Sequence, residues 1–177
     1  PGELTRVHFT EAQIQQRLRE IAAEIDSDYA GTVPLLVGVL NGAVMVMADL
    51  SRAMKLHCEH DWMAVSSYGA GTQSSGGVRS LKDLSSDIGG RHVIGVEDII
   101  DTGLTVQYLL QNLSTRLPAS LELMTMFRKP EAFKCNVVPK YIGYDLPDEF
   151  VVGYGLDYAG QYRNLRDCAT LSPTVYS

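Results

Sequence analysis

The sequence predicts an α/β fold, a mainly parallel twisted sheet flanked by helices, and two observations predict it. Strand-length apolar runs at 32–40, 60–68 and 121–127 alternate with segments whose apolar residues recur at helical spacing. Between them lies the run at 93–105, VIGVEDIIDTGLT. It passes from aliphatic residues through Glu97, Asp98 and Asp101 into a Thr-Gly turn and a helical pattern. That order reads as a buried strand, a tight acidic loop and a helix N-terminus, and such a strand end is where open parallel sheets bind ligands.

Each element has its own signal. Thr10 followed by Gln13 makes a capping-box start, after which Ile14, Leu18, Ile21, Ala22 and Ile25 share one helical face. Residues 32–40 read as a fully buried strand ending in Leu40-Asn41-Gly42. The segment 43–54 is apolar on most sides, as expected of a helix against a sheet, and Met45, Met47 and Met54 are expected in its core. The strand at 60–68 carries Met63 and Val65 and runs into a Gly/Ser-rich stretch at 69–78, a loop expected to be mobile when empty. Val106, Leu109, Leu110, Leu113 and Leu117 mark a helix face that Pro118 terminates. The strand at 121–127 ends in Arg128-Lys129-Pro130, and 141–144 and 150–154 are two further short strands.

A chain of 177 residues with no linker or repeat fits one domain, 1–177. Its net charge of −6 argues against nucleic acid as the main partner, because phosphate neutralisation needs a basic face. A small anion held locally is still allowed. Cys58, Cys135 and Cys168 show no paired spacing, so a reduced cytoplasmic setting without structural zinc is expected. No apolar span is long enough for a membrane helix, and no signal peptide is visible. The Pro-Gly start without methionine reads as a trimmed or processed chain.

The acids and the turn offer different chemistry. On an extended backbone the side chains of Glu97 and Asp98 point to opposite sides. They could accept hydrogen bonds from a polyhydroxylated ligand, hold Mg²⁺, or titrate as acid and base. In the following DTGLT, Gly103 frees the backbone, Thr102 and Thr105 supply hydroxyls, and the next helix presents unpaired N–H groups, which together suit one phosphate. No lysine accompanies them, and Asp101 at the mouth would repel a polyphosphate, so its carboxylate is expected to face a protic part of the ligand. The chain has no P-loop signature, and GAGTQS at 69–74 lacks the third glycine and the helix of a dinucleotide fingerprint.

VEDIIDTGLT resembles the binding signature for phosphoribosyl pyrophosphate (PRPP) of the type I phosphoribosyltransferases, in the form of their 6-oxopurine, hypoxanthine-guanine branch. The resemblance implies that Glu97 and Asp98 bind the ribose hydroxyls. It also implies that Thr102, Gly103, Leu104 and Thr105 hold the 5′-phosphate, and that Asp101 faces purine N7. Leu40-Asn41-Gly42 matches the family's pyrophosphate loop, with Asn41 where a lysine or arginine is common, and implies a peptide bond before Asn41 that can be cis. Ser67 and Tyr68 match the start of its closing lid. Lys129 before Pro130 matches the reader of the purine 6-oxo group. In DEFVVGYGLDY, Phe150 would stack on the purine, Val151 would meet its edge through the backbone, and Asp157 would coordinate Mg²⁺. Arg163 would pair with pyrophosphate. The matches run from about Val33 to Arg166.

The implied fold adds a small hood of C-terminal segments over the sheet's carboxyl edge. The implied activity is transfer of the phosphoribosyl group from PRPP to N9 of hypoxanthine or guanine, with Mg²⁺ as cofactor and a homodimer or homotetramer as the assembly. The rival is a regulator on the same fold that binds nucleotide or RNA with little activity, which Asn41 favours and the acidic charge opposes. A second rival is the same chemistry with xanthine or adenine as base.

Overall fold

The computed structural model describes residues 2–67 and 78–177. Chain order is β1 (Leu4–Phe9), α1 (Glu11–Asp28), β2 (Leu35–Leu40), α2 (Val44–Ala53), β3 (Glu59–Ser67), β4 (Val78–Lys82) and β5 (His92–Ile100). There follow α3 (Leu104–Ser114), β6 (Ser120–Arg128), β7 (Tyr141–Asp145), β8 (Val151–Val152), β9 (Cys168–Leu171) and the short α4 (Pro173–Tyr176). Ser67 closes β3, whereas Tyr68 and the Gly/Ser-rich stretch through 77 lie outside the described residues.

One sheet has the order β4-β3-β2-β5-β6-β7. Every neighbouring pair is parallel except β3 with β4, which is antiparallel at the edge. Alternate residues of its strands feed two separate cores. Leu36, Ile94, Val96 and Met124 pack with Ile14, Leu18, Val46 and Leu50 of α1 and α2. Leu35, Val37 and Val93 pack instead with Leu109 and Leu113 of α3. Both faces are therefore covered, which is why these strands are aliphatic on both sides.

Thr10 caps α1 in the expected capping box with Gln13, and the five spaced residues Ile14, Leu18, Ile21, Ala22 and Ile25 are its buried ones. From β2 the chain crosses to β3 on one side, and from β5 it crosses to β6 on the other, so β2 and β5 flank the switch point where ligands gather. Their carboxyl ends carry the Leu40-Asn41-Gly42 turn and the acidic loop.

The hood is a second, three-stranded antiparallel sheet, β1-β9-β8. It corrects the expectation that C-terminal segments alone build it, because β1 pairs along β9, with Val7 opposite Ala169. The short LTRVHF is mostly exposed and gives no clear period, so nothing in its pattern marks a strand. Residues 150–154 shorten to the two-residue β8 because Gly153 (φ 97°) and Tyr154 (φ 51°) turn the chain in the left-handed region. Leu117 also leaves its expected helix face: α3 ends at Ser114, and Leu117 takes φ 58° and is 78% exposed. Met47 and Met54 are core residues, but Met45 is exposed and turns towards the hood.

Candidate active site

Glu97 and Asp98, adjacent near the end of β5, face opposite sides of the sheet as their spacing requires. Glu97 turns towards α3, beside Val37, Met63 and Leu109. Asp98 turns towards the hood and lines a cavity of about 220 Å³ with Ile99, Asp101, Lys129, Phe150, Val151, Leu156 and Asp157. Burial raises both carboxyls. Asp98 is pushed up to about 6, by burial first and then by the charge of Asp157, while its backbone hydrogen bonds and Arg163 pull the other way. Glu97 is raised well above the usual carboxylate range by burial and by the neighbouring Asp98.

A second cavity of about 170 Å³ adjoins on the α3 side, lined by Glu97, Ile99, Ile100, Asp101, Thr102, Gly103, Thr105 and Val106. Gly103 is the N-cap of α3 at φ 86° and has no side chain to cap the helix, so beyond Leu104 the first turn, with Thr105 and Val106, faces this cavity. A β-carbon at Gly103 would run into the Cys135 sulfur, which accounts for glycine there twice over. Behind the turn, the Thr102 carbonyl accepts from the Lys134 N–H at 2.9 Å. Leu104 contributes backbone only, its N–H donating to the Thr102 hydroxyl at 3.4 Å. A bare helix N-terminus flanked by two threonine hydroxyls is suited to one phosphate-like anion.

Asp101 belongs to both cavities. Lys129 reaches it from the end of β6, with Nζ 3.3 Å from Asp101 Oδ2; the lysine side chain is 9% exposed and the aspartate's 53%. The Lys129 N–H donates to the Ile100 carbonyl, which ties its backbone to the strand end beside it.

The remaining residues come from β2 and the hood. The bond between Leu40 and Asn41 is cis, Asn41 is exposed, and Gly42 lies under the Asp98 carboxylate, where a β-carbon would collide with it. A β-carbon on Gly155 would in turn meet the Gly42 carbonyl, so hood and turn touch through two glycines. Arg163 Nη1 donates to the Gly155 carbonyl at 2.6 Å, and Nη2 lies 3.4 Å from Asp157 Oδ1. Arg163 also lines a separate cavity of about 150 Å³ with Met45, Asp49 and Tyr154, so it stands between that cavity and Asp157 of the main one.

Residues 10–159 match the family model described as phosphoribosyl transferase domain. A hypoxanthine-guanine phosphoribosyltransferase from Mycobacterium avium is 50% identical over 99% of this chain and 90% of its own length. One from Bacillus subtilis (strain 168) is 44% identical over 98% of this chain and 97% of its own. The crystal structure of a hypoxanthine phosphoribosyltransferase from Staphylococcus aureus superposes with a TM-score of 0.96 at 44% identity, covering 99% of this chain and 95% of that one. The chain belongs to the hypoxanthine-guanine phosphoribosyltransferase family.

Within this phosphoribosyltransferase the spaced motifs converge on one sheet edge, from β2, β5, β6 and the hood. These relatives carry the names of enzymes, which does not favour the regulator reading. Three contributors carry no sequence signal of their own: Ile99 and Leu156, which line the main cavity, and Cys135, which backs the Gly103 turn. Ile99 and Leu156 are each apolar residues between motif positions, indistinguishable in the sequence from core.

Proposed function

We propose that this enzyme transfers the 5-phosphoribosyl group of PRPP to N9 of hypoxanthine or guanine, giving the nucleoside monophosphate and pyrophosphate. The observation that carries the base preference is the buried Lys129 ammonium beside Asp101 in a cavity walled by Phe150. An ammonium donates to a 6-oxo group and is repelled by an adenine amino group.

The remaining roles are those the family resemblance implies, and the residues' positions support them. The Thr102–Thr105 turn and the α3 N-terminus hold the 5′-phosphate, and Glu97 and Asp98 take the ribose hydroxyls. Leu40, Asn41 and Gly42, with Arg163, take the pyrophosphate. Phe150 stacks on the purine and the Val151 backbone meets its edge. As the C1′–oxygen bond to pyrophosphate breaks and the C1′–N9 bond forms, Asp101 accepts the proton or hydrogen bond of N7. Lys129 has three donors, enough to keep Asp101 while reading O6. Positioning and fixed charge supply most of the acceleration.

Mg²⁺ fits this donor set: Asp98 and Asp157 line one cavity, and the like charge of Asp157 is one of the causes that raise Asp98. Asp157 would hold the ion together with pyrophosphate oxygens, and the ion would neutralise the leaving group. The three free thiols Cys58, Cys135 and Cys168 fit the reducing cytoplasm, and no helix among the described residues is long and apolar enough to cross a membrane. The chain is read as one domain acting as a homodimer or homotetramer.

Pyrophosphate release measured with PRPP, Mg²⁺ and each of hypoxanthine, guanine, xanthine and adenine tests the reading. Turnover on the first two is expected. Turnover on adenine alone, or on none, overturns it.

A further inference from the structure

The last described helix lies beyond the matched motifs, which end near Arg166, yet it delivers an aromatic ring to Phe150 at the wall of the main cavity. We infer that Tyr176 is a positioning residue for purine binding, holding Phe150 in the orientation in which it stacks on the base. This rests on the reading of Phe150 as the stacking residue.

The backbone path brings α4 beside Phe150. The Leu171 N–H donates to the Phe150 carbonyl at 2.9 Å, so β9 runs beside Phe150. The chain then turns at Ser172, whose N–H donates to the Glu3 carbonyl at 2.7 Å and whose hydroxyl caps α4 by accepting from the Thr174 N–H. Pro173 at the first helical position fixes the direction of that turn. One helical turn later the Tyr176 ring lies over Phe150, with centroids 5.1 Å apart and planes 30° from parallel. Tyr158 completes the group, edge-on to Phe150 at 5.8 Å and 6.0 Å from Tyr176.

Phe150 lines the main cavity and the two tyrosines do not. They therefore support its ring from away from the ligand. Phe150 is 40% exposed, and Tyr158 and Tyr176 are the aromatic rings packed against it among the described residues. A stacking ring held in place before the base arrives loses less side-chain freedom on binding, and that saving should be specific to the purine.

The test is steady-state kinetics of Tyr176→Ala, Tyr176→Phe and Phe150→Ala, varying hypoxanthine and PRPP separately, with thermal unfolding of each. Tyr176→Ala is expected to raise the KM for hypoxanthine by roughly threefold to tenfold, the scale of one aromatic pair, with the PRPP KM and kcat little changed. Tyr176→Phe should behave as the parent. If Tyr176→Ala is too unstable to assay, Tyr176→Leu carries the same expectation. A parental hypoxanthine KM in Tyr176→Ala beside a raised one in Phe150→Ala overturns the inference and leaves the stacking role standing. Equal rises in both KM values overturn it as a loosening of the whole hood. A parental hypoxanthine KM in Phe150→Ala overturns the stacking role itself, and the inference with it.

Discussion

Lys129 donates its ammonium to the Asp101 carboxylate across 3.3 Å, joining the ends of two strands that are neighbours in the sheet. The pair places a buried positive charge where a purine 6-oxo group would lie. Replacing Lys129 by alanine should raise the purine KM by roughly tenfold to a hundredfold, since a hydrogen bond from a charged donor is worth about 1.5 to 3 kcal/mol. The PRPP KM should move much less. Kinetics with hypoxanthine and guanine checks this, and a variant that kept the parent's purine affinity and preference would show that Lys129 does not read the base.

Gly42 has no room for a side chain, with the Asp98 carboxylate above it and Gly155 against its carbonyl. Gly42→Ala should therefore displace Asp98 and the turn together. The expected result is a rise of about tenfold or more in the PRPP KM, equivalent to about 1.4 kcal/mol, with weaker inhibition by pyrophosphate and a smaller change for the purine. Unchanged PRPP kinetics would remove the turn from the pyrophosphate site.

The raised Asp98 carboxyl makes ligand-free stability depend on pH. Its pKa is about 6 folded and about 3.9 unfolded, so the folded state binds the proton more tightly. The stabilisation is fully present below about pH 4 and is lost as pH rises through 6. Asp98→Asn removes this titration. Its melting temperature should exceed the parent's at pH 7 and converge with it near pH 4, as scanning calorimetry between pH 4 and 8 would reveal. A constant difference across that range would contradict the assignment.

Asn41 is exposed at the mouth of the site, in a position where the family commonly carries lysine or arginine. Asn41→Lys should lower the PRPP KM by a factor of a few, because an exposed ion pair contributes only about 0.2 to 1 kcal/mol. Purine affinity should hardly change, since Lys129 and Phe150 line the main cavity and Asn41 does not. Initial rates at saturating hypoxanthine decide the matter; an unaltered or higher KM would mean that Asn41 does not substitute for a missing basic contact.

Much of the architecture was legible because it rests on period and turn chemistry. The five buried residues of α1, the capping box at Thr10 and Gln13, and the opposed directions of Glu97 and Asp98 all follow from local geometry. The hood was harder. Leu4–Phe9 is an exposed strand whose partner lies more than 150 residues away, and no local pattern encodes such a pairing. The same holds within the site. Lys129 and Asp101 could each be singled out, but their pairing depends on β5 and β6 lying side by side, a fact of sheet order. Arg163 shows the reverse case: its motif identifies it, while the fold decides that it is held on the Gly155 carbonyl and Asp157.

The adjacency of β2 and β5 also works as a ruler. Neighbouring strands are held about 4.8 Å apart by their hydrogen bonds, and here the two are locked in parallel register from Leu35 opposite Val93 to Gly38 opposite Val96. One strand feeds the Asn41–Gly42 turn and the other the Thr102–Thr105 turn, and the helices that follow leave on opposite faces. The separation between the two turns proposed to hold the anions is therefore built into the backbone and cannot drift with side-chain rotamers. A ligand charged at a single end can fill only half of that gauge. One charged at both ends, with a sugar's length between them, spans it.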